Sequence, residues 1–170
     1  MSTEATPTAG ATTDVEESGP VLFDVGVVAL AHSGTPMSGT ALGYIRDAVR
    51  GELDAVVPYS VLIGAHHILY LDYEFSRAEA TYVLTNFADA RRIHWYTGPG
   101  DSDVRRGLAL AGDYNIDGWD GYYAHVAQAT NAKTVIGLDD DFERVEGLSV
   151  TIPLTTAERK RLHEYLAPDS

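Results

Sequence analysis

The sequence predicts an α/β protein: a three-layer α/β/α sandwich around a central parallel sheet of about five strands. Three observations carry this. Short apolar runs at residues 21–25, 54–58, 93–96, 134–138 and 148–152 have the length and composition of strands. The segments between them have helical spacing, and strands that alternate with helices pair in parallel. Two of the runs end in aspartate, Val21-Leu22-Phe23-Asp24 and Thr134-Val135-Ile136-Gly137-Leu138-Asp139. Acids at those ends lie where the strands of an open parallel sheet point, the usual place for a site.

Residues 1–19 are Ala, Thr, Ser, Gly, Pro and Glu with almost no large apolar side chain, so they are expected to form a disordered acidic tail. The folded domain is placed at 20–153 and a C-terminal helix and tail at 154–170. After the first strand, residues 26–32 read as a short helix or turn, broken by Ser33-Gly34-Thr35-Pro36. A helix over 40–50 follows from Leu42, Ile45 and Val49, and Gly51 ends it. Ser60 is expected to cap an apolar helix to about Tyr73. Ser76 with Glu79 forms a capping box for a helix to about Ala90. Asp101 or Ser102 caps the next helix, to Asp113, and residues 117–130 form another, with Asp120 in its first turn. Thr155 or Thr156 caps a polar terminal helix whose Leu162 and Leu166 would dock on the body.

The chain has 170 residues, no cysteine and a formal net charge of −13, with lysine only at Lys133 and Lys160. Disulfides and thiolate metal sites are excluded. No apolar run is long enough to span a membrane, and Met1-Ser2-Thr3-Glu4 lacks the start of a signal peptide. A cytoplasmic location is therefore expected. The charge fits a halophilic protein in a cytosol of very high salt, or an ordinary acidic protein with an acidic tail; the scarcity of lysine favours the first. So acidic a surface disfavours nucleic acid except at a local arginine cluster.

The carboxylates suggest the chemistry. Clustered acids repel one another unless a cation sits among them, and magnesium prefers hard oxygen ligands. Asp24, Asp120 and Asp139 each have a bland alternative, as a strand-end cap, a helix first-turn acid and a solvated turn; taken together they favour a metal role. Asp140 is read as part of a solvated turn.

In the order strand–Asp24, helix pair, Asp120-Gly121-Tyr122-Tyr123-Ala124, then strand with Asp139-Asp140-Asp141-Phe142, the chain resembles a PIN domain of the VapC-like toxin type. The resemblance covers residues 21–152. It implies a metal-dependent endoribonuclease that uses Mg²⁺ or Mn²⁺, with Asp24, Asp120 and Asp139 as catalytic metal ligands and Asp141 in a weaker role. It also implies RNA as substrate and leaves room for a small antitoxin protein as partner and for a homodimer. Two positions depart from the family pattern: Gly64 stands where a Glu is usual, and Gly26 where an Asn is usual. These departures motivate the alternative, a PIN-like module that binds RNA or a partner protein without catalysis.

Other residues complete the expectation. Arg91, Arg92, Arg105 and Arg106 are the candidates for phosphate contact. His66 and His67 follow the missing Glu, and one of them could reach the site, though satisfied boundary histidines are the commoner case; His94 and His125 are read that way too. Trp95 and Trp119 are read as core residues rather than base-stacking platforms. No phosphate loop, zinc-protease motif or serine-hydrolase elbow is present.

Overall fold

The protein is described here as a computed structural model, in which residues 19–167 are defined. The acidic tail predicted over residues 1–19 lies, apart from Gly19, outside the described residues. Five strands form one all-parallel sheet: β1 (Val21–Phe23), β2 (Ala55–Pro58), β3 (His94–Tyr96), β4 (Thr134–Ile136) and β5 (Ser149–Thr151), in the order β3-β2-β1-β4-β5. Strands β1 and β2 are buried along their whole length, which is why they read as unbroken apolar runs instead of alternating ones. The edge strands β3 and β5 are partly exposed.

Seven α-helices flank the sheet among the described residues: α1 (Val25–His32), α2 (Gly39–Arg50), α3 (Ser60–Asp72), α4 (Arg77–Ala88), α5 (Asp101–Tyr114), α6 (Gly118–Ala129) and α7 (Thr156–Leu166). The path from β1 to β3 runs outward in one direction, then returns past β1 to β4. With right-handed crossovers, this puts α1–α4 on one face and α5–α6 on the other, a three-layer sandwich. Helix α1 packs on α2 and α3, α3 on α4, and α5 on α6. Phe23, Leu22, Leu30, Leu69, Ile136 and Phe142 are among the largest fully buried side chains.

Several local signals act as the sequence predicts. Gly51 ends α2 at φ +80, a left-handed conformation that favours glycine. Ser76 and Glu79 close a reciprocal capping box on α4, and Thr155 caps α7, where Glu158 completes a second box.

Others differ. Strand β1 stops at Phe23, because Asp24 is the N-cap residue of a helix that starts at Val25. Ser60 does not cap α3: Tyr59 occupies the cap position, and no side chain caps the helix. Gly100 takes the cap of α5, and its N–H donates to the Asp103 carboxylate at 3.1 Å. In α7, Leu162 is buried, but Leu166 is exposed. Trp95 packs between Tyr59 and Phe87 and donates its indole N–H to the Ala90 carbonyl. Trp119, expected in the core, is 58% exposed. It is the second residue of α6, and its chain neighbours Asp117 and Gly118 are exposed with it.

Candidate active site

Strands β1 and β4 are neighbours, yet one leads to β2 and the other to β5, so the order of the sheet reverses between them. At such a switch point the loops diverge and leave a crevice beyond the carboxyl ends of the strands. Phe23 pairs with Ile136, and the Asp24 N–H donates to the Ile136 carbonyl at 3.0 Å. Asp24 and the Gly137-Leu138-Asp139 turn are thereby fixed side by side at the mouth of the crevice.

Helix α6 brings the next acids. Asp117 is its N-cap, and the Asp117 carboxylate accepts the Asp120 N–H at 2.8 Å. That capping bond holds the first turn of α6 and sets where Asp120 stands. In the β4–β5 loop, Asp139 Oδ1 accepts the Asp141 N–H at 2.9 Å, and Asp141 lies 3.7 Å from Arg144.

Asp24, Asp117, Asp120, Asp139 and Asp141 line one cavity of about 830 Å³. Its remaining wall includes Val25, Ile63, Ile68, Leu138, Trp119 and Tyr123, with Ser60 and His67. The electrostatics agree with convergence. Burial pushes Asp24 up to about 6, opposed by its interaction with the Val25 backbone and helped by the charges of Asp139 and Asp117. Burial first, then the charges of Asp117, Asp24, Asp139 and Asp141, push Asp120 up to about 7. Burial also raises the Tyr123 phenol. Carboxylates that hinder one another's ionisation across a cavity call for a cation.

The predicted acids Asp24, Asp120, Asp139 and Asp141 are thus brought together, and Asp117 joins them. In the sequence, Asp117 reads only as the start of a helix. The available signal was Asp117-Gly118-Trp119-Asp120, since acids at a cap and three residues later share the same end of a helix. The arginines do not line this cavity. Arg91 and Arg92 precede the edge strand β3, at the amino end of the sheet and not the carboxyl end that carries the acids, and Arg92 Nη1 donates to the Arg50 carbonyl at 2.6 Å. Arg105 pairs with Asp101 at 3.0 Å on the surface of α5, and Arg106 borders a separate cavity with His125 and Gln128. His66 turns away to Arg77 and Thr81, whereas His67 lines the acidic cavity. His125 is buried with Nε2 2.8 Å from Asp103 Oδ1, which also accepts the Tyr96 hydroxyl.

Two solved structures share this architecture. The crystal structure of PAE2754 from Pyrobaculum aerophilum matches with a TM-score of 0.55 at 15% identity, over 89% of this chain and 98% of that one. The crystal structure of FitAcB from Neisseria gonorrhoeae matches with a TM-score of 0.52 at 16% identity, over 78% of this chain and 97% of that one. The fold is a PIN-like sandwich. At these identities the likeness is one of fold. No family model matches the chain, and no curated protein matches it in sequence.

Gly64 and Gly26, the two glycines singled out in the sequence, both sit at close helix contacts. A β-carbon at Gly64 would lie 2.6 Å from Val25 Cγ2, so α1 and α3 close over the place a glutamate would need. A β-carbon at Gly26 would lie 3.0 Å from Leu138 Cδ1. Gly121 sits at a close contact too: its β-carbon would strike the Gly107 carbonyl, because α5 and α6 cross backbone to backbone there.

Among the described residues, no three His, Asp or Glu side chains are drawn tightly enough to form a ready-made metal cage. The donor set nonetheless fits magnesium or manganese. Magnesium keeps several waters and is commonly held by only one or two carboxylates. Asp24 and Asp120, half-buried and electrostatically coupled, meet that requirement, with Asp139, Asp117 and Asp141 close enough to act on their charge.

Proposed function

We propose that the protein is a metal-dependent endoribonuclease of the PIN type that hydrolyses RNA phosphodiester bonds. The observation that carries this reading is the gathering of Asp24, Asp117, Asp120, Asp139 and Asp141 around one cavity at the switch point of the sheet. Asp24 and Asp120 would hold Mg²⁺ or Mn²⁺, with Asp139 as a further ligand and Asp141 in a weaker role. The ion, when bound, supplies a Lewis acid for the phosphate and a water acidified toward neutral pH.

The chain's own residues do the rest. Asp117 fixes the first turn of α6 and so positions Asp120. Burial beside Val25, Ile68 and Leu138 lowers the local dielectric at Asp24 and would strengthen its hold on a cation. Without the ion, the acids would repel a phosphate, so binding of substrate and of metal are coupled. A small antitoxin protein is the partner this reading suggests, and among the described residues no helix is long and apolar enough to cross a membrane.

The test is cleavage of single-stranded and structured RNAs by purified protein in molar KCl with Mn²⁺ or Mg²⁺. Metal-dependent cleavage that falls at least a hundredfold in Asp120→Asn supports the reading. Cleavage by Asp120→Asn at the parental rate overturns it.

A second reading is favoured by one observation, the filling of the glutamate position by Val25 against Gly64. In it the domain binds RNA or a partner protein without hydrolysis. Metal and RNA binding with no cleavage under any divalent ion would select it.

A further inference from the structure

Trp119 stands directly beside Asp120, and more than half of its side chain is exposed. An exposed tryptophan is unusual, because no side chain has more apolar area to bury. Its ring stacks on Tyr123 (centroids 5.9 Å apart, planes at 27°) and meets Tyr122 edge-on at 6.1 Å. The indole is therefore braced from behind by two buried tyrosines, and its orientation is set by them.

Trp119 also divides two cavities. On one side is the acidic cavity; on the other is a second of about 630 Å³, lined by Pro99, Val104, Leu108, Asp117, Gly118, Trp119 and Tyr122. Asp117 and Trp119 belong to both walls. The second cavity has no cationic side chain, so it does not suit a phosphate. Its apolar lining, with Val104 and Leu108 left open to solvent, suits a flat, neutral group.

We propose that the second cavity is a nucleobase subsite in which Trp119 stacks one unpaired base of the bound strand. This deepens the nuclease reading and rests on it for the identity of the polymer. Bases within an RNA helix are paired and stacked, and side chains cannot reach them, whereas single strands offer their faces to aromatic rings. Stacking tolerates any base, because each has a π-face. Trp119 acts as a positioning residue: with its base beside Leu108 and Tyr122, the adjoining phosphate falls toward the carboxylates of the neighbouring cavity.

The chain has two tryptophans, so Trp95→Phe leaves Trp119 as the lone reporter. This protein is titrated in molar KCl and millimolar Ca²⁺ with three probes: an oligoadenylate, an RNA duplex and an abasic sugar-phosphate chain. The expected result is quenching of Trp119 fluorescence by the oligoadenylate, at least tenfold weaker with the other two. In the wild-type background, Trp119→Ala should weaken oligoadenylate binding by about 5- to 150-fold, and Trp119→Phe by much less. Equal quenching by duplex and abasic chain, or unchanged affinity in Trp119→Ala, overturns the proposal. Its failure is separable from that of the nuclease reading. Cleavage that ignores Trp119 sinks the subsite alone, and base-dependent quenching without cleavage in Mn²⁺ sinks the nuclease alone.

Discussion

Gly64 and Val25 are in such close register across the α1–α3 contact that a β-carbon on Gly64 would lie 2.6 Å from Val25 Cγ2. A helix-to-helix contact thus occupies the space any side chain at position 64 would need. Gly64→Glu alone should destabilise the protein by about 1–3 kcal/mol through overpacking. The melting temperature would fall by roughly 2–4 °C per kcal/mol for a domain of this size. The pair Gly64→Glu, Val25→Ala should recover much of that loss and bind Mn²⁺ more tightly than the parent, as thermal melts and metal titration would show. A single Gly64→Glu protein with undiminished stability would contradict the packing argument.

The α5–α6 contact gives a parallel case. In an open helix, Gly121→Ala would gain about 1 kcal/mol from propensity. Here the new methyl meets the Gly107 carbonyl, and the helices must separate. The substitution should lower the melting temperature and, since α6 carries Asp120, weaken metal binding in the same protein. A higher melting temperature would show that the crossing is looser than described.

The acids give stability a pH dependence of defined sign. In the metal-free fold, Asp24 and Asp120 titrate near 6 and 7, against an ordinary 3.8. Between those values the folded state holds more protons than the unfolded chain, so stability falls as pH rises. Their favourable share is full below about 3.8 and gone above about 7. Asp24→Asn should therefore melt higher than the parent at pH 8 in a chelator, with the advantage vanishing near pH 4. An Asp24→Asn protein less stable than the parent at pH 8 would reverse the sign and defeat the argument.

Salt should act on the whole molecule. At −13, with few cations to offset it, the fold repels itself in dilute buffer. The screening length shrinks from about 30 Å at 0.01 M to about 3 Å at 1 M. The melting temperature should rise steeply with KCl over that range. A flat profile would remove the halophilic reading of the composition.

How much of this was legible beforehand follows from the range of each interaction. The capping box at Ser76, the cap at Thr155 or Thr156 and the glycine stop at Gly51 are written within a few residues and act as read; the Glu158 half of the Thr155 box emerges only in the structure. The sheet and the gathering of Asp24, Asp120 and Asp139 follow from strand ends and alternation, which are properties of the chain order. Asp117 was seen only as a helix start, because a capping acid and a site acid look alike until the fold shows what the cap faces. Trp119 reads as a core residue in the sequence, as a large apolar side chain does by default. Its exposure goes with its place in the exposed first turn, whereas Tyr122 and Tyr123 in the next turn are buried. The reason for Gly64 lay 39 positions away at Val25, where no local pattern could show it.

The most direct test of the account is a calorimetric titration of Mn²⁺ into the parent, Asp24→Asn and Asp120→Asn proteins, in molar KCl at pH 8. The account predicts saturable binding by the parent at or below millimolar metal, lost in both variants although each still melts cooperatively. No binding by the parent, or undiminished binding by both variants, would contradict the claim that these carboxylates form a metal site.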